Sequence, residues 1–205
     1  MNIIAHRGYW KAWEERNTVR AFERALENDF GIETDIRDCA GKLVVSHDTP
    51  TGAELSVEQF FELYNSYNSQ TWLALNIKAD GLQSLLKEQL DRYKIKNYFV
   101  FDMSIPDTIG YLAQDIDVFM RRSEYETASP FYDEAAGIWL DCFKSDWFGA
   151  NDMEKYLADD KYVCIVSPEL HKRPYAQVWE KYKISHNKLL LCTDRPDEAQ
   201  TYFGK

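Results

Sequence analysis

The sequence predicts an α/β protein, a compact (β/α)8 TIM barrel formed as a single domain over residues 1–205. Three observations predict it. Short runs rich in β-branched and aromatic residues recur at 2–6, 31–37, 72–78, 97–102, 117–121, 136–142, 161–166 and 188–192. The segments between them carry helical spacing or composition, and strands alternating with helices build a parallel sheet. The unit repeats every ~25 residues, near the lower size limit for eight βα units. The competing architecture is an open doubly wound sheet. No proline- or glycine-rich linker divides the chain, and no repeat exists beyond the alternation itself.

The first helix runs from Thr18 to Asn28, with Val19, Phe22, Ala25 and Leu26 on one face. The second opens at Ser56-Val57-Glu58-Gln59, a capping-box pattern, and runs to Tyr67. Leu82 to Tyr93 repeats the stripe through Leu82, Leu85, Leu86 and Leu90. Weaker helical spacing marks 105–114, 150–159, 173–182 and 196–203, and 126–135 is the faintest. One run lies outside the eight strands. Lys42 to His47 follows the second strand after only Asp38-Cys39-Ala40-Gly41. A parallel crossover needs about a dozen residues. The run is therefore expected to be a β-hairpin arm extending from strand 2 at the C-terminal rim, returning His47 to the level of Glu33 and Asp35.

A net charge of −10 argues against nucleic acid as a partner, because binding a polyphosphate needs a basic surface. It leaves room for a small phosphorylated substrate in a locally positive pocket. Strand-like residues begin at Asn2 with no basic, apolar leader before them, and no run approaches the ~20 apolar residues of a membrane helix. The expectation is a cytoplasmic protein with no stable membrane insertion. Cys39, Cys142, Cys164 and Cys192 form no C-x-x-C pair, which argues against a cysteine zinc site and for small core residues in a reducing compartment.

The chemistry-bearing residues cluster early. His6-Arg7-Gly8, Glu33-Thr34-Asp35 and His47-Asp48 each fall at the end of an apolar run. Strand ends deliver side chains to a common rim in a parallel barrel. Glu33 and Asp35, one residue apart, share a strand face about 7 Å apart. Two inward carboxylates repel unless a cation sits between them. The histidines can exchange protons near neutral pH, and Arg7 can grip a phosphate oxygen. Further rim candidates by position are Asp102, Arg121, Asp141 and Glu169, with Arg121 and Asp141 equally suited to structural ion pairs. His171 could touch a substrate at the periphery, whereas His186 lies in a polar stretch and is expected to be exposed. Tyr9, Trp10 and Trp13 either stack on a ligand or pack a helix.

The run Ile4-Ala5-His6-Arg7-Gly8, followed by Asn17-Thr18 and Ala21-Phe22, resembles the glycerophosphodiester phosphodiesterases, within the phosphatidylinositol phospholipase C-like phosphodiesterase superfamily. So do Gly31-Ile32-Glu33-Thr34-Asp35-Ile36-Arg37, Gly41, Val44-Val45 and His47-Asp48. Thr193-Asp194-Arg195-Pro196 looks like that family's closing motif. The likeness spans both ends of the chain in order, while 95–185 offers only the barrel rhythm. The resemblance implies metal-assisted phosphodiester cleavage. It makes His6 and His47 the acid/base pair, and Glu33 and Asp35 ligands of one divalent cation, Mg2+ or Ca2+. It puts Arg7 on the phosphate.

The family's third-strand motif, Glu-x-Lys, is matched by Asn76 and Lys78. The resemblance puts Lys78 on the phosphate. Asn76 in the glutamate's place can coordinate through its amide oxygen but adds no charge, so the metal is expected to bind more weakly. Arg16 stands where the family has a glutamate beside Asn17. Only Thr49 to Leu55 precedes the next helix, where many relatives carry an insertion over the glycerol end of the substrate, so a more open site is expected.

The sequence thus reads as a metal-dependent phosphodiesterase for a small phosphodiester such as a glycerophosphodiester, lysophospholipid or phosphoglycan. Two alternatives stand beside it: a non-catalytic barrel that binds phosphorylated ligands, and a lyase that releases a cyclic phosphate.

Overall fold

The computed structural model describes residues 1–204. Eight parallel strands form the ring: β1 (Asn2–His6), β2 (Gly31–Cys39), β4 (Leu73–Ile77), β5 (Tyr98–Phe101), β6 (Phe119–Arg122), β7 (Gly137–Leu140), β8 (Tyr162–Val166) and β9 (Leu189–Thr193). A short strand, β3 (Lys42–Val45), lies outside the ring and runs antiparallel to β2, from Ile36↔Val45 to Cys39↔Lys42. Ala40 and Gly41 join the two, both with positive φ (50° and 79°). That backbone matches the right-handed twist of the flanking strands.

The ladder runs β5-β4-β2-β1-β9-β8-β7-β6. It nearly closes. Between β5 and β6 the only ladder contact is the bridge Val100↔Val118, among the described residues. Side chains strengthen this seam. Phe99 stacks on Phe119 with ring centroids 3.7 Å apart, and Phe101 stacks on Trp139 at 3.8 Å. Such pairs contribute about 1 kcal/mol each beyond burial. Strand alternation sends Ile4, Ala74, Cys164, Leu190 and Cys192 into the same interior. The interior is therefore a packed core, and only its C-terminal end is polar.

Six α-helices cover the outside: α1 (Val19–Glu27), α2 (Val57–Ser66), α3 (Gln83–Tyr93), α4 (Ile105–Leu112), α5 (Ala150–Ala158) and α6 (Pro196–Phe203). The Thr18 side chain caps α1, and Ser56 with Gln59 forms a complete capping box on α2. Helix faces such as Phe22, Phe60, Phe61 and Leu86 pack on the outward side of β2 and β4, where Ile32 and Leu75 point out.

Two segments depart from the sequence expectation. Residues 173–182 form no α-helix; the structure has short 3-10 turns at Pro168–His171 and Trp179–Tyr182. Pro174 supplies no N–H donor, and Arg173 is held away from helix geometry by Cys142 O (2.7 Å) and Asp146. Residues 126–135 are irregular, because the Ser123 hydroxyl captures the N–H groups of Tyr125 and Glu126 in a local turn. Cys164 and Cys192 are fully buried, and burial together with the nearby Glu33 charge pushes both thiols well up. Among the described residues no helix is long and apolar enough to cross a membrane.

Candidate active site

The polar end of the interior is built by β1, β2, β4 and β9. Register places His6 beside Glu33 and Asp35 beside Asn76. Glu33 and Asp35 both point inward and are 1% and 0% exposed. After His6 the chain turns sharply. Arg7 has φ of 56° and Gly8 of 80°, and a side chain at Gly8 would sit 2.9 Å from the backbone of Ala21. Arg7 thus adopts a sparsely populated conformation, held by its surroundings. Its N–H donates to Glu33 Oε2 (3.2 Å), and its Nε lies 3.1 Å from Asp35 Oδ2.

Asn17, also left-handed at φ 56°, secures the loop between β1 and α1. Its N–H donates to Arg7 O (3.0 Å) and its Nδ2 to Asp35 Oδ2 (2.8 Å). Its Oδ1 accepts from Thr34 Oγ1 (2.9 Å). Lys78 Nζ reaches within 3.4 Å of Asp35 Oδ1. His6 is gripped from two sides, with Nδ1 2.7 Å from Asp194 Oδ1 and Nε2 3.8 Å from Glu33 Oε2.

The electrostatics follow from burial. Loss of water pushes the Glu33 carboxyl up, and the Asp35 charge adds to that; His6, Arg7 and Lys78 act the other way. Burial pulls the His6 imidazole down, but Glu33 and Asp194 outweigh it and hold the group above its ordinary value. Two buried oxygens here, Asp35 Oδ1 and Asn76 Oδ1, accept no hydrogen bond. Asn76 Nδ2 makes only a long contact, 3.4 Å, with Glu33 Oε1. Oxygens so placed, on two carboxylates and an amide, fit a hard divalent cation. Among the described residues no three His, Cys, Asp or Glu side chains converge as a metal cluster. A cation held at Glu33 and Asp35 would therefore take its third side-chain oxygen from the Asn76 amide.

His47 lies just past β3. The Ser46 N–H donates to Asp35 O (3.0 Å), which brings the arm beside the carboxylates. The imidazole is 45% exposed, with Nδ1 2.8 Å from Asp48 Oδ1. It opens on a cleft of about 770 Å³ that Arg7, Trp13, Arg16 and Asn17 also line. Among the described residues no hydrogen bond or ion pair joins His47 to His6; His47 lines this cleft, whereas His6 sits behind Arg7 between Glu33 and Asp194.

No family model matches the sequence, and no curated protein matches it. Solved structures do match. A phosphodiesterase of Oleispira antarctica, in complex with the product sn-glycerol-3-phosphate, superposes with a TM-score of 0.74 at 15% identity, over 100% of this chain and 97% of that one. A glycerophosphodiester phosphodiesterase of Agrobacterium tumefaciens gives 0.69 at 16%, over 96% and 97%. A glycerophosphoryl diester phosphodiesterase of Parabacteroides distasonis gives 0.66 at 12%, over 99% and 86%. This is the barrel fold of the glycerophosphodiester phosphodiesterases.

On this phosphodiesterase fold the remaining rim candidates form pairs of their own. Arg121 bonds Asp102, and Asp141 lies 2.6 Å from His171 Nε2. Glu169 accepts from Ser167 and Thr193, and its carboxyl is pushed up by burial all the same. Tyr9 is core, packed edge-on to Phe30, whereas Trp13 is 59% exposed beside the cleft. In the sequence Asp194 and Asn17 stand only within motifs, and nothing local places either beside His6 or Asp35. A signal for Asp194 existed: in a closed ring the last strand lies beside the first, and Ala5 pairs with Thr193.

Proposed function

We propose that the chain hydrolyses a small phosphodiester of the glycerophosphodiester type, with His6 and His47 moving the protons. The observation that carries this reading is His6 clamped by Asp194 and Glu33 next to Arg7, which itself lines the cleft on which His47 opens. Glu33, Asp35 and Asn76 would hold one divalent cation, Mg2+ or Ca2+, which when bound supplies positive charge to the phosphoryl oxygens. The Oleispira relative's complex with sn-glycerol-3-phosphate supports a glycerol-bearing substrate.

The chain's own groups then have distinct tasks. Asp194 accepts from His6 Nδ1, and Asp48 does the same for His47, so each ring keeps Nε2 for the proton it exchanges. Asp35 anchors Arg7 through Nε and leaves the terminal nitrogens of the guanidinium for phosphoryl oxygens. Lys78 adds a point charge beside it. One imidazole takes a proton from the attacking water as the new P–O bond forms. The other, protonated, gives its proton to the leaving alkoxide as the old P–O bond breaks. The products are a phosphomonoester and an alcohol.

Phosphorus NMR on a panel of phosphodiesters, with magnesium, calcium or manganese, tests the reading. A monoester product is the expected result. A cyclic phosphate that persists would identify a lyase, and no turnover on any member would identify a binding protein.

Asn76 gives a second test. Asn76→Glu adds a carboxylate beside Glu33 and Asp35, so metal affinity measured by calorimetry is expected to rise. In chelator the same variant is expected to melt lower than the wild type, because three buried carboxylates then repel one another. Unchanged affinity would remove Asn76 from the donor set.

A further inference from the structure

Arg16 ends the 3-10 turn Trp13–Glu15 and directly precedes Asn17, whose side chain is tied to β2. Its guanidinium lies on the Trp13 ring, with Cζ 3.2 Å from the centroid, and its Nε donates to Trp13 O (3.0 Å). These two contacts set the plane of the fork. Among the described residues its two terminal nitrogens meet no carboxylate within ion-pair distance and make no hydrogen bond. The neighbouring arginines differ: Arg24 and Arg20 lie 2.9 and 3.5 Å from Glu15. That local acid is therefore already engaged.

The charged groups that face Arg16 explain why it stands apart. Arg7 is the cation, and Asp194, Asp35 and Asp48 are the acids. Each acid has another partner: Asp194 holds His6, Asp35 holds Arg7 and Asn17, and Asp48 holds His47. Burial and the Arg7 charge accordingly make Arg16 easier to deprotonate than a free arginine. Arg7 and Arg16 line one cleft with His47. Two arginines that line one cleft, with no carboxylate in ion-pair distance of both among the described residues, suit a ligand group with several negative oxygens, which each fork can bond in bidentate fashion.

We propose that Arg16 is a second anion-binding residue of this site, forming with Arg7 a guanidinium pair that holds the anionic oxygens of a phosphodiester substrate. The inference rests on the phosphodiesterase reading and extends it. Protein cations at the phosphoryl group would make turnover less dependent on a weakly held metal. The anion that Arg16 meets is either the reacting phosphoryl group or a second anionic group on the leaving alcohol.

Titration of the full chain with inorganic phosphate, in the presence of chelator, tests the pair without turnover. Arg16→Gln is expected to weaken phosphate binding about tenfold or more, the scale of a lost charged hydrogen bond. Arg16→Lys should fall between, because it keeps the charge and loses the fork. Arg20→Gln, at an exposed neighbour, should match the wild type. Kinetics then locate the anion. An equal loss of kcat/KM on diesters of neutral and of carboxylate-bearing alcohols assigns Arg16 to the reacting phosphoryl group. A loss confined to the carboxylate-bearing substrate assigns it to the alcohol. Wild-type phosphate affinity and kcat/KM in a folded Arg16→Gln protein would overturn the proposal, as would no phosphate binding by the wild type. Arg16-dependent phosphate binding with no turnover of any diester would leave the anion site standing and refute the hydrolase reading.

Discussion

His6→Ala is expected to lower kcat at least ~100-fold, the usual cost of a lost general acid or base. The imidazole sits at the C-terminal end of β1, only 19% exposed, with Asp194 on Nδ1 and Glu33 facing Nε2. Its removal leaves the packed interior below untouched, because Ile4 and Ala5 carry the strand's core contacts. The melting temperature should therefore change far less than the rate. His6→Asn keeps a donor near Asp194 but cannot exchange a proton, so it should be as slow as the alanine variant. His47→Ala should show a comparable loss, with even less effect on stability since that ring is 45% exposed. Near-normal kcat in either variant, on the best substrate found, would remove that histidine from proton transfer.

The second large effect concerns the cation. Glu33→Gln combined with Asp35→Asn is expected to weaken divalent-metal binding by more than the roughly 100-fold that losing an outer-shell partner costs. The double variant also leaves Arg7 and Lys78 without the carboxylate that both approach. Its melting temperature in chelator reads this second effect separately. Neutralising two buried, mutually repelling acids relieves strain, while stranding two cations adds it. Calorimetric titration with Mg2+ and Ca2+ is the deciding measurement, and equal binding by wild type and double variant would refute the site.

The fold was legible because its signals are local. Short β-rich apolar runs, buried on both faces in strands such as β4, β5 and β9, and the stripes of α1, α2 and α3 are local features of the sequence. The segment 173–182 departs from its helical pattern because the spacing of Val178, Trp179 and Tyr182 also serves a turn that buries the same side chains. There a proline and a long-range Arg173 contact override the pattern. In the site, His6, Arg7, Glu33 and Asp35 were legible because each ends an apolar run. The partners were not. Whether Asp194 meets His6, or whether Asn17 reaches Asp35, depends on ring closure and on a left-handed loop that composition does not encode. Arg16 was visible only as a departure from a motif; its stacking on Trp13 is a property of the folded loop.

The pair His6 and Asp194 lies 188 positions apart in sequence. It forms only once β9 has docked against β1, a contact whose chain-closure cost must be met before it contributes anything. Pairings of such long range arise late in folding. The local helices and the β2–β3 arm can assemble without them. Regain of this pair during refolding, followed through the chemistry it supports, is thus a clock for completion of the ring rather than for collapse. It should lag the return of helical circular dichroism. A chain cut short of Asp194 would have most of its barrel and none of this proton-handling pair.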